Sequence, residues 1–484
     1  MNNLRSSRGF VAVLTSNILM VIMGLVIAFA LPKIIGSVEG YGYWQLYYFY
    51  SGYYGLMMFG FNDGINLLYA GKDYKMLDKK KFSVFFFYVL LSSVAVAIIA
   101  SIIVFSLISE SLLRLIALLV IANIVILNIT GFTLHINQIT LRFKEYARIN
   151  TLERVLFVAA LAPVWLIGGK EFIIFIILNL FVRILVMIYG IYTIRDLIKV
   201  RDMTRKTLFK HRGLIRQNIY AGFPLTIGTI FAMLIATSSR VVVERSLDVY
   251  YFGLFSFAFA ALSVIAMIIA ALSTVLYPTL KTVHKSSYEF LNKDLKLLLS
   301  LVSCVALTAY FFVPMLVTSF FSEYSSILNY LFLLFPWVIY QSIGSILNDV
   351  FFRLLRMQKK ILLHNVIGLA VILAVQFVAL RLTGDLRIML GVGLLVIMLW
   401  AHGNDLYIRL TQGWRVSWTD YVDILMVGAF LSVSFLLNPG IGMMVYLLAC
   451  AMIIYLLRNS IKQAVSRVRS VKQQTSQQDP EEMS

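Results

Sequence analysis

Long apolar runs, separated by short polar stretches, follow one another along almost the whole chain. A membrane span needs about 20 mainly apolar residues. Fourteen stretches meet that requirement, near 9–31, 44–69, 83–108, 114–138, 150–168, 172–194, 217–243, 250–278, 296–320, 326–349, 361–380, 387–408, 421–437 and 440–457. The fourth carries Asn123, Asn128 and Asn137, and the last two are short and flank Asn438-Pro439-Gly440. The first run, Gly9 to Leu31, is too long for a signal-peptide core and ends in no small-residue cleavage pattern, so it reads as the first span. The pattern predicts an all-α polytopic membrane protein.

The distribution of basic residues tests the count. With Arg5 and Arg8 placed in the cytoplasm, 34 of the 42 Lys and Arg residues fall in or beside cytoplasmic segments and seven beside external ones. The remaining one, Arg183, lies within a span. Cytoplasmic loops collect Lys and Arg, so the split predicts an even number of spans with both termini in the cytoplasm. No external loop exceeds about a dozen residues, too short for the catalytic loops on which an external glycan polymerase or ligase depends.

Composition narrows the class further. Of 484 residues, 60% are hydrophobic and 13% charged, against about 25% charged in a soluble domain. That excludes a soluble enzyme and a disordered chain. The formal charge of +19 is explained by topology rather than by nucleic acid. Cys304 and Cys450 sit inside apolar runs and predict neither a disulfide nor a metal site. The five histidines are scattered without metal spacing, and no phosphate-cradling Gly-Lys-Ser/Thr loop is present. No cofactor is expected.

The chain repeats itself. Ser37-Val38-Glu39-Gly40-Tyr41-Gly42 follows span 1, and Ser246-Leu247-Asp248-Val249-Tyr250, then Gly253, follows span 7. Leu141-Arg142-Phe143-Lys144 before Asn150 is echoed by Phe352-Arg353-Leu354-Leu355-Arg356 before Asn365. Both echoes are in phase with six spans, which predicts two parallel six-helix repeats plus two C-terminal helices. The expected organisation is a six-helix lobe over 1–194, a basic cytoplasmic linker over 195–216, a second six-helix lobe over 217–408, accessory helices over 409–458 and a polar cytoplasmic tail over 459–484. Transporters built from such repeats bind substrate between them and move by rocking.

Fourteen spans in a 6+6+2 order, the basic link and the acid–x–Tyr–Gly loop after span 1 together resemble the oligosaccharidyl-lipid flippases. These are the Wzx-type polysaccharide exporters of the MOP superfamily, which also holds lipid II flippases and MATE drug exporters. Asn218-Ile219-Tyr220-Ala221-Gly222-Phe223-Pro224-Leu225-Thr226-Ile227-Gly228 is similar to the family's start of span 7. Where members often carry Asp-Arg near the outer end of that span, this chain has Ser239-Arg240. The resemblance covers residues 5–410. It implies a flippase of the bacterial cytoplasmic membrane whose substrate is an undecaprenyl-pyrophosphate-linked oligosaccharide, a polysaccharide repeat unit. It further implies ion-coupled alternating access, driven by H⁺ or Na⁺, with polysaccharide polymerase machinery as a further partner.

Moving such a substrate requires cationic and amide groups to shield a pyrophosphate and a glycan from hydrocarbon. Arg183 lies eleven residues from the inner end of span 6, roughly 16 Å deep at 1.5 Å per residue. A central Arg costs at least about 2.5–3.5 kcal/mol to insert, so it predicts either an anion contact or a structural partner. Arg240 near the outer end of span 7 reads as an exit contact or as an interfacial anchor pairing with Glu244. Arg8 and Arg216, at the inner ends of spans 1 and 7, read as anion attractors or as plain positive-inside anchors. Asn17 and Asn218 are amides in corresponding helices, suited to sugars, to phosphate or to interhelical bonds. Asp63 is the acid set deepest in a span, about 9 Å from its inner end by helical rise; it reads as an H⁺ or Na⁺ site, as the partner of a nearby Arg or as the cap of a break at Gly64. Span 2 opens with a dense run of tyrosines, of which Tyr47, Tyr50 and Tyr54 are candidates for stacking on sugar rings, although aromatic residues are common at membrane interfaces.

Two rivals remain. A MATE-like multidrug exporter predicts twelve spans and an acidic interior; a lipid II or teichoic-acid precursor flippase shares the architecture. A membrane glycan polymerase needs the external loop that the chain lacks.

Overall fold

The computed structural model describes residues 2–198, 207, 210–263, 280, 283 and 285–467, with the side chains of residues 2–18, 345, 346 and 358 outside the description. All regular structure among the described residues is helical. Ten of those helices are long and apolar enough to cross a membrane, and the chain is a multi-pass membrane protein.

The ten correspond to the third to seventh, ninth and eleventh to fourteenth expected spans. The first and eighth fall partly outside the described residues. Their described side chains form the shorter apolar helices Leu19–Ile35 and Val249–Ser263. The second differs from expectation, because it is not one continuous helix; the tenth is continuous but widened within. The second is α2 (Val38–Ser51), a tight turn over Tyr54–Met58 and α3 (Phe61–Tyr69). Between the last two, Phe59 and Gly60 take left-handed backbone angles, φ 47° and φ 80°, which an α-helix does not accommodate. The tenth runs from Leu328–Ser342 through a widened π-turn at Ile343–Asn348 into Asp349–Leu354 without interruption. Apolar content alone carries no record of the break or of the widening.

The long helices start and stop on side chains that satisfy their free backbone groups. α1 (Asn2–Ile35) ends before Ser37, whose hydroxyl accepts from the Gly40 amide at 3.2 Å and opens α2. The Asp78 carboxylate accepts from the Lys80 and Lys81 amides and opens α4 (Lys79–Leu107). α5 (Ser111–Ile139), α6 (Phe143–Leu166) and α7 (Phe172–Thr193) follow, then α8 (Arg212–Ala236), α9 (Ser238–Ser246) and α10 (Val249–Ser263).

Two compact units divide the chain. The first holds residues 1–230 and 249–253, the second 231–248 and 254–484. One boundary between the units falls inside α8, and residues 199–206, 208 and 209 of the basic link lie outside the described residues. In the first unit α5 is central and packs on α2, α3, α4 and α7, while α1 packs on α6. Phe61, Ile65, Phe85, Phe86, Phe132 and Ile136 form the aromatic-rich core under α3. Arg154 of α6 ties α1 down by donating to the Met20 carbonyl at 2.6 Å. On α4, Ile98, Ile99, Ile102 and Phe105 are each more than half exposed, a surface that only hydrocarbon covers without cost.

The second unit holds α9, most of α10, and α11 (Tyr288–Ala306), α12 (Val313–Phe320), α13 (Leu328–Ser342), α14 (Asp349–Leu354), α15 (Gln358–Thr383), α16 (Leu386–Gln412), α17 (Val422–Leu436) and α18 (Pro439–Leu456). α16 packs on α13 and α15, and α17 packs on α11 and α18. Gly384 and Gly413, both at positive φ, terminate α15 and α16.

Buried charges knit this unit together. Arg409 of α16, 1% exposed, reaches Asp405 at 3.0 Å, Asp420 at 3.1 Å, the Asn292 amide oxygen at 2.8 Å and the Arg415 carbonyl at 3.1 Å. Lys296 of α11, also 1% exposed, donates to Asp405 at 2.6 Å. Asp420 also caps the turn at Trp418–Tyr421 by accepting from the Ser417 amide. A buried charge is tolerated when it is paired and its remaining donors are satisfied, and Arg409 meets both conditions.

Candidate functional site

Arg183 sits midway along α7. Its side chain is buried, and its Nε donates to Glu153 Oε1 of α6 at 2.7 Å. The Glu153 side chain stays 28% exposed. Beside the pair, the guanidinium lies 5.8 Å from the ring of Tyr48. One turn earlier on α7, Asn179 accepts from the hydroxyl of Tyr47 at 3.0 Å. The structural partner considered for Arg183 is therefore an acid, yet Arg183 Nη1 is buried without a hydrogen-bond partner. A guanidinium presents five donors in a fixed fork. Here its Nε is committed to a carboxylate while one terminal nitrogen is unspent.

Asp63 lies in the first turn of α3, held there by the break at Gly60. The Thr226 hydroxyl of α8 donates to its carboxylate. His135 of α5 is within electrostatic reach of Asp63, and its Nδ1 is buried with no partner. Tyr54 is within electrostatic reach of Asp63, Glu153 and Arg183 together. The first unit thus gathers Arg183, Glu153, Tyr54, Asp63, Thr226 and His135, polar side chains from six elements: α7, α6, the turn at Tyr54–Met58, α3, α8 and α5.

The tyrosines separate by exposure. Tyr47 is fully buried with its hydroxyl committed to Asn179, Tyr50 is half-buried in an edge contact with Phe49, and Tyr54 is half-buried. Tyr48, which the sequence did not single out, is 48% exposed and is the ring beside Arg183.

Of the other predicted residues, only Asn218 is seen to adjoin this group. Asn218 is fully buried; its amide donates to the Leu214 carbonyl of its own helix, and its backbone carbonyl lies against Gly64. Arg216 is exposed and donates to the Tyr220 hydroxyl at 3.0 Å. Arg240, in α9 of the second unit, has its guanidinium 6.0 Å from the Phe259 ring, and Glu244 bonds the adjacent Arg245 at 3.1 Å. The side chains of Arg8 and Asn17 lie outside the described residues.

Sequence reasoning missed Glu153, Tyr48, Thr226 and His135. The available signal for Glu153 was an acid inside the span before Arg183. Nothing in the sequence placed Thr226 or His135 beside Asp63, because they lie 163 and 72 positions away. No group of three or more His, Cys, Asp or Glu residues suited to a metal ion occurs among the described residues.

Comparison with known proteins adds three findings. A family model described as polysaccharide biosynthesis protein matches residues 6–284. A lipid II flippase MurJ in an inward closed conformation is similar in fold, with TM-score 0.63 and 15% identity, covering 94% of this chain and 99% of that one. An inward-facing multidrug resistance MATE family transporter of the MOP superfamily aligns with TM-score 0.60 and 13% identity, covering 82% of this chain and 98% of that one. No curated protein matches the chain.

Proposed function

Because the chain belongs to the polysaccharide biosynthesis protein family, we propose that it is a flippase moving an undecaprenyl-pyrophosphate-linked oligosaccharide across the bacterial cytoplasmic membrane. Its fold, shared with a lipid II flippase and a MATE transporter, supports the exporter class. The mechanism is alternating access coupled to an ion gradient, with no covalent step and hence no catalytic residue. Both termini face the cytoplasm, as the 34-to-7 division of basic residues indicates. The two repeat-derived lobes, the accessory helices and the polymerase machinery that takes the exported units belong to the same reading.

The observation that carries the substrate class is Arg183: a buried guanidinium in the middle of a membrane helix with Nη1 unpartnered. Charged side chains at that depth default to function. A pyrophosphate would engage the open edge of the fork and compete with Glu153 for the rest. Glu153, part-exposed, can turn away from Arg183 without remaining a buried lone charge. Arg8, Arg216 and Arg240 serve as anion-attracting groups along the route, Asn17 and Asn218 as polar contacts, and Tyr50 and Tyr54 as sugar-facing rings. Tyr47 supports the site through Asn179. Asp63 is the site of the coupling ion, H⁺ or Na⁺, with Thr226 donating to the carboxylate and His135 nearby.

The test is what accumulates when the gene is removed from its host. Complete lipid-linked units facing the cytoplasm, detected with a membrane-impermeant glycan label on intact cells, are the expected result, unrelieved by Arg183→Ala. Units building up on the outer face would instead indicate a polymerase. Sensitivity to cationic drugs without accumulation would indicate a drug exporter.

A further inference from the structure

We infer that His402, clamped between Asp423 and Lys296 in the second unit, is a second proton-binding site, separate from Asp63. The assignment rests on the transport reading for its role, but on geometry for its existence.

His402 of α16 is 8% exposed. Its Nε2 lies 2.8 Å from Asp423 Oδ2 of α17, and its Nδ1 lies 3.3 Å from the Lys296 ammonium of α11. An ammonium has donors only. Nδ1 must therefore accept, which leaves the proton on Nε2, where it is donated to Asp423. The ring is neutral in this arrangement and joins three helices.

The charge count around it is uneven. From α11 come Lys296, the amide of Asn292 and the buried thiol of Cys304, which is within electrostatic reach of Asp423. From α16 come Asp405 and Arg409. The 418–421 turn supplies Asp420 and the ring of Tyr421, 5.3 Å from Lys296. α17 supplies Asp423, and α13 the ring of Tyr340, 5.9 Å from His402. Two cations face three carboxylates while His402 is neutral, and all five charged side chains are under 4% exposed. Moreover, Asp405 Oδ1 and Asp423 Oδ1 are both buried with no hydrogen-bond partner. A low-dielectric site with one excess negative charge and two orphan carboxylate oxygens favours the uptake of one positive charge.

A proton on Nδ1 supplies that charge, and it cannot leave the contacts unchanged. Imidazolium and ammonium would then face each other at 3.3 Å as like charges, both donors. Lys296 is displaced from His402 and retained by Asp405, while His402 is drawn to Asp423. Uptake of one proton thus loosens α11 from α16 and tightens α16 to α17. Release reverses it.

The experiment is 15N NMR of the full chain, labelled at histidine and held in lipid nanodiscs, between pH 5 and 8. The expected result is one ring that is the neutral Nε2–H tautomer at pH 8 and imidazolium at pH 5, missing from His402→Gln and shifted by at least tenfold in proton affinity in Asp423→Asn. Should His402→Gln fail to fold, single replacements of the other four histidines by Gln assign the ring by elimination. A His402 ring in one protonation state at every pH overturns the inference. So does a response of this ring to added NaCl at constant pH without titration, which would make the site a sodium site. His402→Gln should also lower export at least tenfold; unimpaired export overturns the coupling role. Missing accumulation in the deletion strain would defeat the flippase reading while leaving the titration intact, so the two failures are distinguishable.

Discussion

A Cβ placed on Gly222 would overlap the carbonyl oxygen of Gly60. The α-carbon of α8 therefore lies directly on the backbone of the kink that opens α3, one turn from where Asn218 does the same to Gly64. Backbone contact of this kind is how membrane helices gain dispersion energy when no hydrophobic effect operates between them.

We predict that Gly222→Val prevents correct assembly of the first unit. The clash is with main chain, which does not yield as a long side chain does, and overpacking costs about 1–3 kcal/mol or more. Gly440→Ala, with open space around its α-carbon, is the matched control. Thermal melts of both purified proteins check it: a normal melt for Gly222→Val would show that α8 and α3 do not meet as described.

Glu153→Gln and Arg183→Gln should differ. Removing the acid leaves Arg183, 8% exposed at its side chain, as an unpaired buried charge, a change that costs about 3–5 kcal/mol in comparable pairs. Removing the arginine leaves Glu153 with access to water and costs less stability, yet it deletes the anion contact. Export should fall more in Arg183→Gln than its melting temperature accounts for. Equal export at equal folded amounts would remove Arg183 from the substrate path.

Thr226→Val keeps the shape of the side chain and deletes the donor to Asp63. Export should fall in Thr226→Val and fall further in Asp63→Asn, at equal folded amounts. Unimpaired export in Thr226→Val counts against a role for this contact, and unimpaired export in Asp63→Asn against Asp63 as the coupling carboxylate.

Arg409→Met should be among the most destabilising single changes in the second unit. It leaves Asp405 sharing only Lys296 and strips Asp420 of its guanidinium, so a loss of about 3–5 kcal/mol is expected. Arg216→Ala, by contrast, removes an exposed side chain bonded to its own helix at Tyr220, and should change stability by about 0.5 kcal/mol or less. Side-by-side denaturation of the two variants checks both statements.

Much of this protein was legible along the chain. The apolar runs and the lopsided Lys and Arg distribution establish an all-helical, many-span membrane protein, because hydrocarbon requires every spanning segment to satisfy its own backbone and to be apolar for about 20 residues. Arg183 was also visible, since a charge amid apolar residues has no local explanation. What tertiary structure alone decided is which groups meet it. Glu153 is 30 positions from Arg183, Thr226 is 163 from Asp63, and Lys296 is 106 from His402. Lys296, Asp405 and Arg409 looked like ordinary basic and acidic residues at span ends; only packing of α11, α16 and α17 buries them together. A break in span 2 was legible only as an alternative at Gly64; the structure places it at Phe59–Gly60, where Gly60 takes a positive φ and the backbone of α8 lies close. Span existence follows from the solvent each segment faces, a local property of the sequence. Pairing of buried charges follows from which helices touch, and that is a property of the folded whole.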